Sequence, residues 1–422
     1  MVRLKVKVAF VGAGFVADYY MHSLRLYPNL LPCGVTDMRK ERAEKFAAYY
    51  RVPLFESLDA LLDKSGADII INLTDPFSHY AVTRACLQKG KHVYSEKPTT
   101  MDFNQSKELT ALAESNRLYL MTAPCSILSA SAQTLWQAIY ENKAGTIRLA
   151  YAEMDDGPVH LMGPEKWRSR RGVPWPYENE FSVGCGPEHL GYALTWVVAF
   201  FGPVNHVTAY STCLIPHKLP FIPPNDTPDF SVACLEHQSG VVTRLTSGIL
   251  APVNRGLRLV GDKAVLSVYD LWDNHAPVTL GSYSPLKLKA ERKQWIRKNW
   301  FLRKVFGLNP VKLPFVKKQK KKFTLLPPKI KMDYLLGIQD MAQAMLRDEQ
   351  PLISNDFCLH INELTLKIHH ARNSGGFKPE TTFDHERMVK QNFRHASKLS
   401  STYVPDIFEQ AASAARAASV QK

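Results

Sequence analysis

Up to about residue 122, short apolar runs alternate with amphipathic stretches. The runs at 4–11, 31–37, 68–73, 92–95 and 118–122 read as strands buried on both faces, the pattern of a parallel sheet. The stretches at 13–26, 41–50, 57–62, 78–89 and 102–114 read as the helices between them. Such alternation predicts an N-terminal α/β domain with a Rossmann-type, doubly wound parallel sheet.

From about residue 146 strands follow one another with few helices. Strands are expected at 147–154, 206–212, 230–237, 241–248, 257–260 and 264–269. Gln238-Ser239-Gly240 and Gly261-Asp262-Lys263 serve as hairpin turns. One strong helix, 187–201, interrupts them, and helices at 332–347 and 356–372 close the fold. The expected second domain is α+β with an open, mostly antiparallel sheet. The domains are read as 1–124 and 125–372, followed by a tail at 373–422 whose end, 411–420, is rich in Ala and Ser. There is no internal repeat.

The 422 residues suffice for two sizeable cores. The seven cysteines (Cys33, Cys86, Cys125, Cys185, Cys213, Cys234, Cys358) are scattered and odd in number. They suggest neither a disulfide framework nor a metal site, and fit a reducing, cytoplasmic setting. The cations at Arg3, Lys5 and Lys7 precede a buried first strand rather than a cleavage site, so no signal peptide is expected. The formal net charge of +14 is concentrated in one place. Residues 287–331 hold 16 Lys/Arg and one acid, Glu291, whereas the rest of the chain sums to −1.

Val11-Gly12-Ala13-Gly14-Phe15-Val16-Ala17 closes the first strand. Gly12 and Gly14 let backbone approach a pyrophosphate, which a helix N-terminus stabilises. Phe15 and Val16 border that approach, and Ala17 lets helix and strand pack closely. Asp37 stands where a ribose-binding acid is expected. Its carboxylate favours NAD, while Arg39 and Lys40 could pair with the extra phosphate of NADP. Tyr94-Ser95-Glu96-Lys97-Pro98 follows a later strand and lies where parallel sheets bind ligands.

Together these two motifs resemble the glucose-fructose oxidoreductase / inositol dehydrogenase / rhizopine-catabolism family of nicotinamide-dependent oxidoreductases. The resemblance covers roughly residues 3–372. It implies reversible hydride transfer to or from a secondary alcohol or ketone of a sugar, cyclitol or sugar derivative, with no metal. It also implies a homo-oligomer formed through the free face of the second sheet. Thr74, Pro76 and His79 match the family's Thr-x-Pro-x-x-His turn along the cofactor. Lys97 is expected to exchange a proton with the substrate, its pKa lowered by desolvation near a cationic ring. Glu96 would position it, and Pro98 would fix the turn through a cis bond.

The family's second catalytic element, Gly-x-x-x-Asp-x-Gly-x-His, corresponds to Gly184-Cys185-Gly186-Pro187-Glu188-His189-Leu190-Gly191-Tyr192 only in part. His189 matches the motif histidine and reads as a neutral base near a helix N-terminus. Cys185 replaces an acid, a departure that Glu188 could make good from a neighbouring position. Asp155, Trp167, Arg168, Trp175 and Tyr192 complete the substrate-binding candidates. Aromatic faces and guanidinium suit a sugar beside an anionic group. Two alternatives stand beside the dehydrogenase: a glycosidase with transient oxidation at a bound cofactor, and a catalytically impaired nucleotide-binding module.

Residues 289–306 read as one basic amphipathic helix with Trp295, Leu302 and Phe306 on a common face, followed by the lysine-rich stretch 316–322. That pattern suits peripheral contact with an anionic membrane. The competing reading packs the aromatics on the protein body. Nucleic acid is disfavoured because no reader motif accompanies the charge.

Overall fold

Val6–Val11 (β1), Leu30–Thr36 (β2), Ile69–Asn72 (β3), His92–Ser95 (β4) and Leu120–Thr122 (β5) pair in parallel in the computed structural model, in the order β2-β1-β3-β4-β5. The structure describes residues 5–218, 226–316, 331–372 and 375–394. Their apolar runs are continuous because both faces are covered. Val8, Phe10, Ile69 and Ile71 face one core, and Ala9, Val11, Ile70 and Val93 face the other. The order reverses between β1 and its neighbours β2 and β3, which places a crevice at the carboxyl ends of these strands.

The second sheet comprises Ile147–Asp155 (β6), Val204–Thr212 (β7), Phe230–His237 (β8), Val242–Gly248 (β9), Leu257–Gly261 (β10), Ala264–Val268 (β11), Thr279–Ser282 (β12), Val311–Lys312 (β13) and Gly376–Phe377 (β14). Its order is β13-β12-β11-β10-β6-β9-β8-β7-β14, antiparallel except for the β6–β9 pair. One face packs on the helix Gly191–Phe201, in which every residue but Tyr192 is buried. That helix is apolar all round, as a central helix must be. The opposite face carries partly or fully exposed side chains, among them Tyr151, Tyr210, Cys234 and Arg244.

The strands Thr279–Ser282 and Val311–Lys312 and the helix Tyr177–Val183 add to the expected elements, and three larger departures stand beside them. The helix Ala130–Tyr140 had no counterpart in the sequence reading. Its start is marked only by Ser129, whose hydroxyl accepts from the Ala132 N–H. Part of the expected tail is built into the fold. Gly376–Phe377 extends the second sheet, and the helix His385–Asn392 buries Met388. Phe393 then stacks on Tyr140 with ring centroids 4.1 Å apart. Residues 395–422 lie outside the described residues.

The third departure is the basic segment, which is three short helices, Pro285–Glu291, Gln294–Lys298 and Trp300–Val305. Lys293 and Asn299 are extended between them, and Asn299 caps the third helix by accepting from the Phe301 and Leu302 N–H groups. With two breaks, Trp295, Leu302 and Phe306 do not share one helical face. Ile296 faces inward, whereas Trp295 and Trp300 are 62% and 74% exposed. The lysines of 317–322 lie outside the described residues. No helix among the described residues is long and apolar enough to cross a membrane.

Candidate active site

The glycine-rich turn owes its shape to two different constraints. Gly12 has φ +99°, and a Cβ there would meet the Leu73 carbonyl oxygen at 2.6 Å. At Gly14 a Cβ would meet nothing within 4 Å, so this glycine borders open space. Asp37 braces the turn by accepting from the Ala13 N–H at 2.7 Å and the Arg39 N–H at 2.8 Å. Met38 is fully exposed and Phe77 60% exposed, on the loops after β2 and β3. Large apolar side chains left in water on both sides of a crevice mark a ligand surface.

The Thr74 hydroxyl donates to Asn72 Oδ1 at 2.7 Å. His79 is wholly buried, with Nδ1 2.7 Å from the Pro98 carbonyl and Nε2 3.1 Å from the Thr74 carbonyl. It ties two site loops together rather than facing the crevice. Pro76 stays partly exposed beside it. Glu96 accepts from the Tyr20 hydroxyl at 2.7 Å and from the Lys97 N–H at 3.1 Å, which fixes the backbone from which Lys97 projects. The Lys97–Pro98 bond is cis.

Lys97 forms an ion pair with Glu188, and the Lys97 and Glu188 side chains are 19% and 4% exposed. Burial alone would pull the ammonium pKa down. Glu188 first, then Glu180, Tyr192 and Glu96, outweigh it and hold the pKa well above the ordinary lysine value. The expected lowering is therefore reversed, because Lys97 emerges among carboxyl groups that stabilise its charge. Burial opposes the charge on Glu188 too, but Lys97 and a hydrogen bond from Glu180 keep its pKa below the usual range.

Glu188 and His189 lie in a π-turn, Gly186–Leu190, that enters the helix Gly191–Phe201. Such turns recur at functional sites. Here it carries Glu188 to Lys97. Cys185 is buried near Ser231 and the Ser247 carbonyl, and burial pushes its thiol up to about 12. His189 is kept neutral chiefly by burial. Its ring stacks on Trp272 with centroids 6.0 Å apart. His189 Nδ1 and Trp272 Nε1 are both buried without hydrogen-bond partners, the mark of a site built for something polar. Arg255 lies over Trp272 at 4.2 Å and pairs with Asp156 at 3.1 Å. Tyr192 packs on Trp272 at 5.1 Å.

The remaining sequence candidates fall elsewhere. Asp155 points to the outer face of β6 with Tyr151 and Glu153, because alternate strand residues share a face. Burial and Glu153 raise its pKa to about 6. Its neighbour Asp156 is the one placed against His189 and Arg255. Arg168 is exposed and folds back onto the carbonyls of Glu165 and Trp167 at 2.7 and 2.9 Å. Trp167 and Trp175 pack on each other with tilted rings, centroids 4.8 Å apart, and lie against a small cluster with Val159, Phe181 and Ile249.

Sequence reasoning passed over Arg171. Its side chain pairs with Asp18 at 2.5 Å, and both are 3% exposed. The same guanidinium donates to the carbonyls of Ala13 at 2.8 Å and Gly14 at 3.2 Å. The loop that carries Arg171 is thus tied to the glycine-rich turn. The sequence offered Asp156 only as one of the pair Asp155/Asp156, readable as a general acid, a hydroxyl acceptor or a plain turn; it gave no sign of Glu180, Trp272 and Arg255, which lie far apart along the chain and form no local motif.

Residues 6–123 match the oxidoreductase family with an NAD-binding Rossmann fold. A UDP-N-acetylglucosamine 3-dehydrogenase of Acidithiobacillus ferrooxidans is 30% identical over 135 residues, 32% of this chain and 42% of that protein. A trans-1,2-dihydrobenzene-1,2-diol dehydrogenase of Bos taurus is 22% identical over 295 residues, 68% of this chain and 81% of its own. The chain spans about half the length of several curated relatives it matches. The WlbA dehydrogenase of Bordetella pertussis, solved with NADH and UDP-GlcNAcA, has the same fold. Its TM-score is 0.64 at 17% identity, covering 91% of this chain and all of that one.

Proposed function

We propose that this chain, whose residues 6–123 match the oxidoreductase family with an NAD-binding Rossmann fold, is a nicotinamide-dependent oxidoreductase of sugars or sugar derivatives. The observation that carries the reading is the convergence of Lys97, Glu188 and neutral His189 at the end of the parallel sheet whose first strand runs into the open glycine-rich turn. The open space at Gly14 and the exposed Met38 and Phe77 fit a dinucleotide, with Asp37 set toward the ribose of NAD. A bound nicotinamide would supply the hydride acceptor or donor. The protein supplies the rest. Lys97 holds a proton for the substrate oxygen, Glu188 keeps that ammonium charged and aimed, and His189 offers a second, uncharged proton site. Arg255 and Asp156 suit hydroxyl or anionic groups of the substrate. Glu188 stands in for the acid missing at Cys185, which favours an enzyme over an impaired binding module.

The test is a panel of UDP-sugars, free sugars and cyclitols with NAD and NADP, followed by nicotinamide absorbance. Turnover of one class, lost in Lys97→Ala, supports the reading. Cofactor binding without turnover of any compound favours the impaired module.

Two partner surfaces belong to the same proposal. The outward face of the second sheet, with Tyr151, Tyr210 and Cys234, suits a second copy of the chain. The three short helices of 285–305 expose Trp295, Trp300, Phe301 and Val305 among lysines and arginines. Exposed aromatics interleaved with cations suit the interface of an anionic bilayer. Flotation with anionic but not neutral vesicles supports this contact, and binding to neither rejects it.

A further inference from the structure

The helix Asn355–His369 bears on both partners of the Lys97–Glu188 pair. Asn355, Asn362 and His369 recur every seven residues and so share one face of it. Asn355 holds the edge strand of the parallel sheet. It accepts from the Leu120 N–H at 2.8 Å and donates to the Leu118 carbonyl at 3.1 Å. Two turns on, Asn362 holds the residues that follow Lys97 and Pro98. Its Oδ1 accepts from the Thr99 N–H at 3.0 Å. Its Nδ2 donates to the Thr100 carbonyl at 3.4 Å and to the Ser106 hydroxyl at 2.7 Å.

Two turns further, His369 presses on the backbone that leads to Glu188. A Cβ on Gly186 would lie 2.7 Å from both the Cβ and Nδ1 of His369, and one on Gly184 2.8 Å from its Cε1. Gly186 has no positive φ, so the close approach of His369, rather than the backbone, calls for glycine there. The Ser211 hydroxyl donates to the His369 carbonyl at 2.7 Å, which ties this end of the helix to the second sheet. Asn362 and His369 are both buried. Lys97 and Glu188 lie on different elements, so their separation depends on whatever bears on both. We propose that Asn362 and His369 are positioning residues: one helix face sets the Lys97–Glu188 pair, Asn362 acting through the Lys97 loop and His369 through the turn that carries Glu188. This inference rests on the proposed function for its meaning in turnover, but not for its test.

Acylation of the purified protein by acetic anhydride, with each lysine followed by peptide mass spectrometry, reads how well Lys97 is held. Only a free, accessible amine reacts, so Lys97 should be acylated slowly in the wild type. Glu188→Gln, which deletes the pair, gives the full effect. Asn362→Leu and Gly186→Ala should each speed Lys97 acylation by about tenfold or more, the equivalent of one pKa unit. Lys218, a buried lysine paired with Asp229 at 2.9 Å, reports general unfolding and should stay protected in Asn362→Leu. His369→Gly removes the atoms that the new methyl meets, so adding it to Gly186→Ala should restore slow acylation. Unchanged Lys97 reactivity in Asn362→Leu, or a rise shared with Lys218, overturns the proposal. So does a Gly186→Ala effect that His369→Gly leaves in place. The readout needs neither cofactor nor substrate. Failure of the wild type to bind NADH or turn over any compound therefore overturns the proposed function alone.

Discussion

Lys97 and Glu188 meet although 91 residues separate them, one just after the fourth strand of the parallel sheet and the other in the π-turn Gly186–Leu190. Neither charge is in bulk water, so each depends on the other. Glu188→Gln should lower the pKa of Lys97 and reduce turnover by about 10²-fold or more. Removing one partner of a buried pair should also cost roughly 3 kcal/mol of stability. Kinetics across pH together with urea unfolding check both. A variant with unchanged rate and stability would show that the pair is incidental.

The two glycines of the turn separate stability from binding. Gly12→Ala forces a Cβ against the Leu73 carbonyl at a positive φ, so it should lower the urea midpoint as well as cofactor affinity. Gly14→Ala meets no protein atom, so it should leave the midpoint near wild type and weaken reduced-cofactor binding.

Arg171 and Asp18 should behave as one unit. Asp18 also accepts from the Tyr50 hydroxyl at 2.7 Å and the Ser169 hydroxyl at 2.5 Å. Arg171→Ala leaves a buried carboxylate without its cation, and roughly 3–5 kcal/mol of stability should be lost. Arg171→Lys should not restore it, since a single ammonium cannot serve Asp18 and both turn carbonyls in a guanidinium's geometry. Urea unfolding of both variants checks this.

Acid should weaken the fold from neutrality downward. Burial keeps the pKa of His237 and His360 near 4 and that of His369 near 3. Unfolded histidine titrates near about 6.5. The native state therefore binds fewer protons below that value, and the stability these residues contribute is present above pH about 6.5 and lost as pH falls toward 4. Asp155, raised to about 6, opposes part of this loss. Urea midpoints from pH 7 to pH 4.5 should decline. A flat or rising series contradicts the burial argument.

The parallel sheet was legible because strands buried on both faces are unbroken apolar runs, and because Gly12, Gly14 and Asp37 keep a fixed order along the chain. Lys97, Glu188 and His189 could be located for a similar reason: each lies in a short motif. Their electrostatics could not. The pKa of Lys97 depends on Glu180 and Glu188, which no spacing rule links to it. Asp155 and Asp156 show the limit most simply. Adjacent in sequence, they point to opposite sides of a strand end, and only the register of β6 decides which one meets His189. The basic segment misled because charge and aromatic spacing suit one helix, whereas Asn299 starts a new one.

The most direct measurement is titration of the purified, cofactor-free protein with NADH and with NADPH, read by nicotinamide fluorescence. Saturable binding is predicted, tighter for NADH because of Asp37, and weakened in Gly14→Ala without loss of fold. Binding of neither cofactor by folded protein would contradict the account, since the turn braced by Asp37 and Arg171 would then hold no dinucleotide.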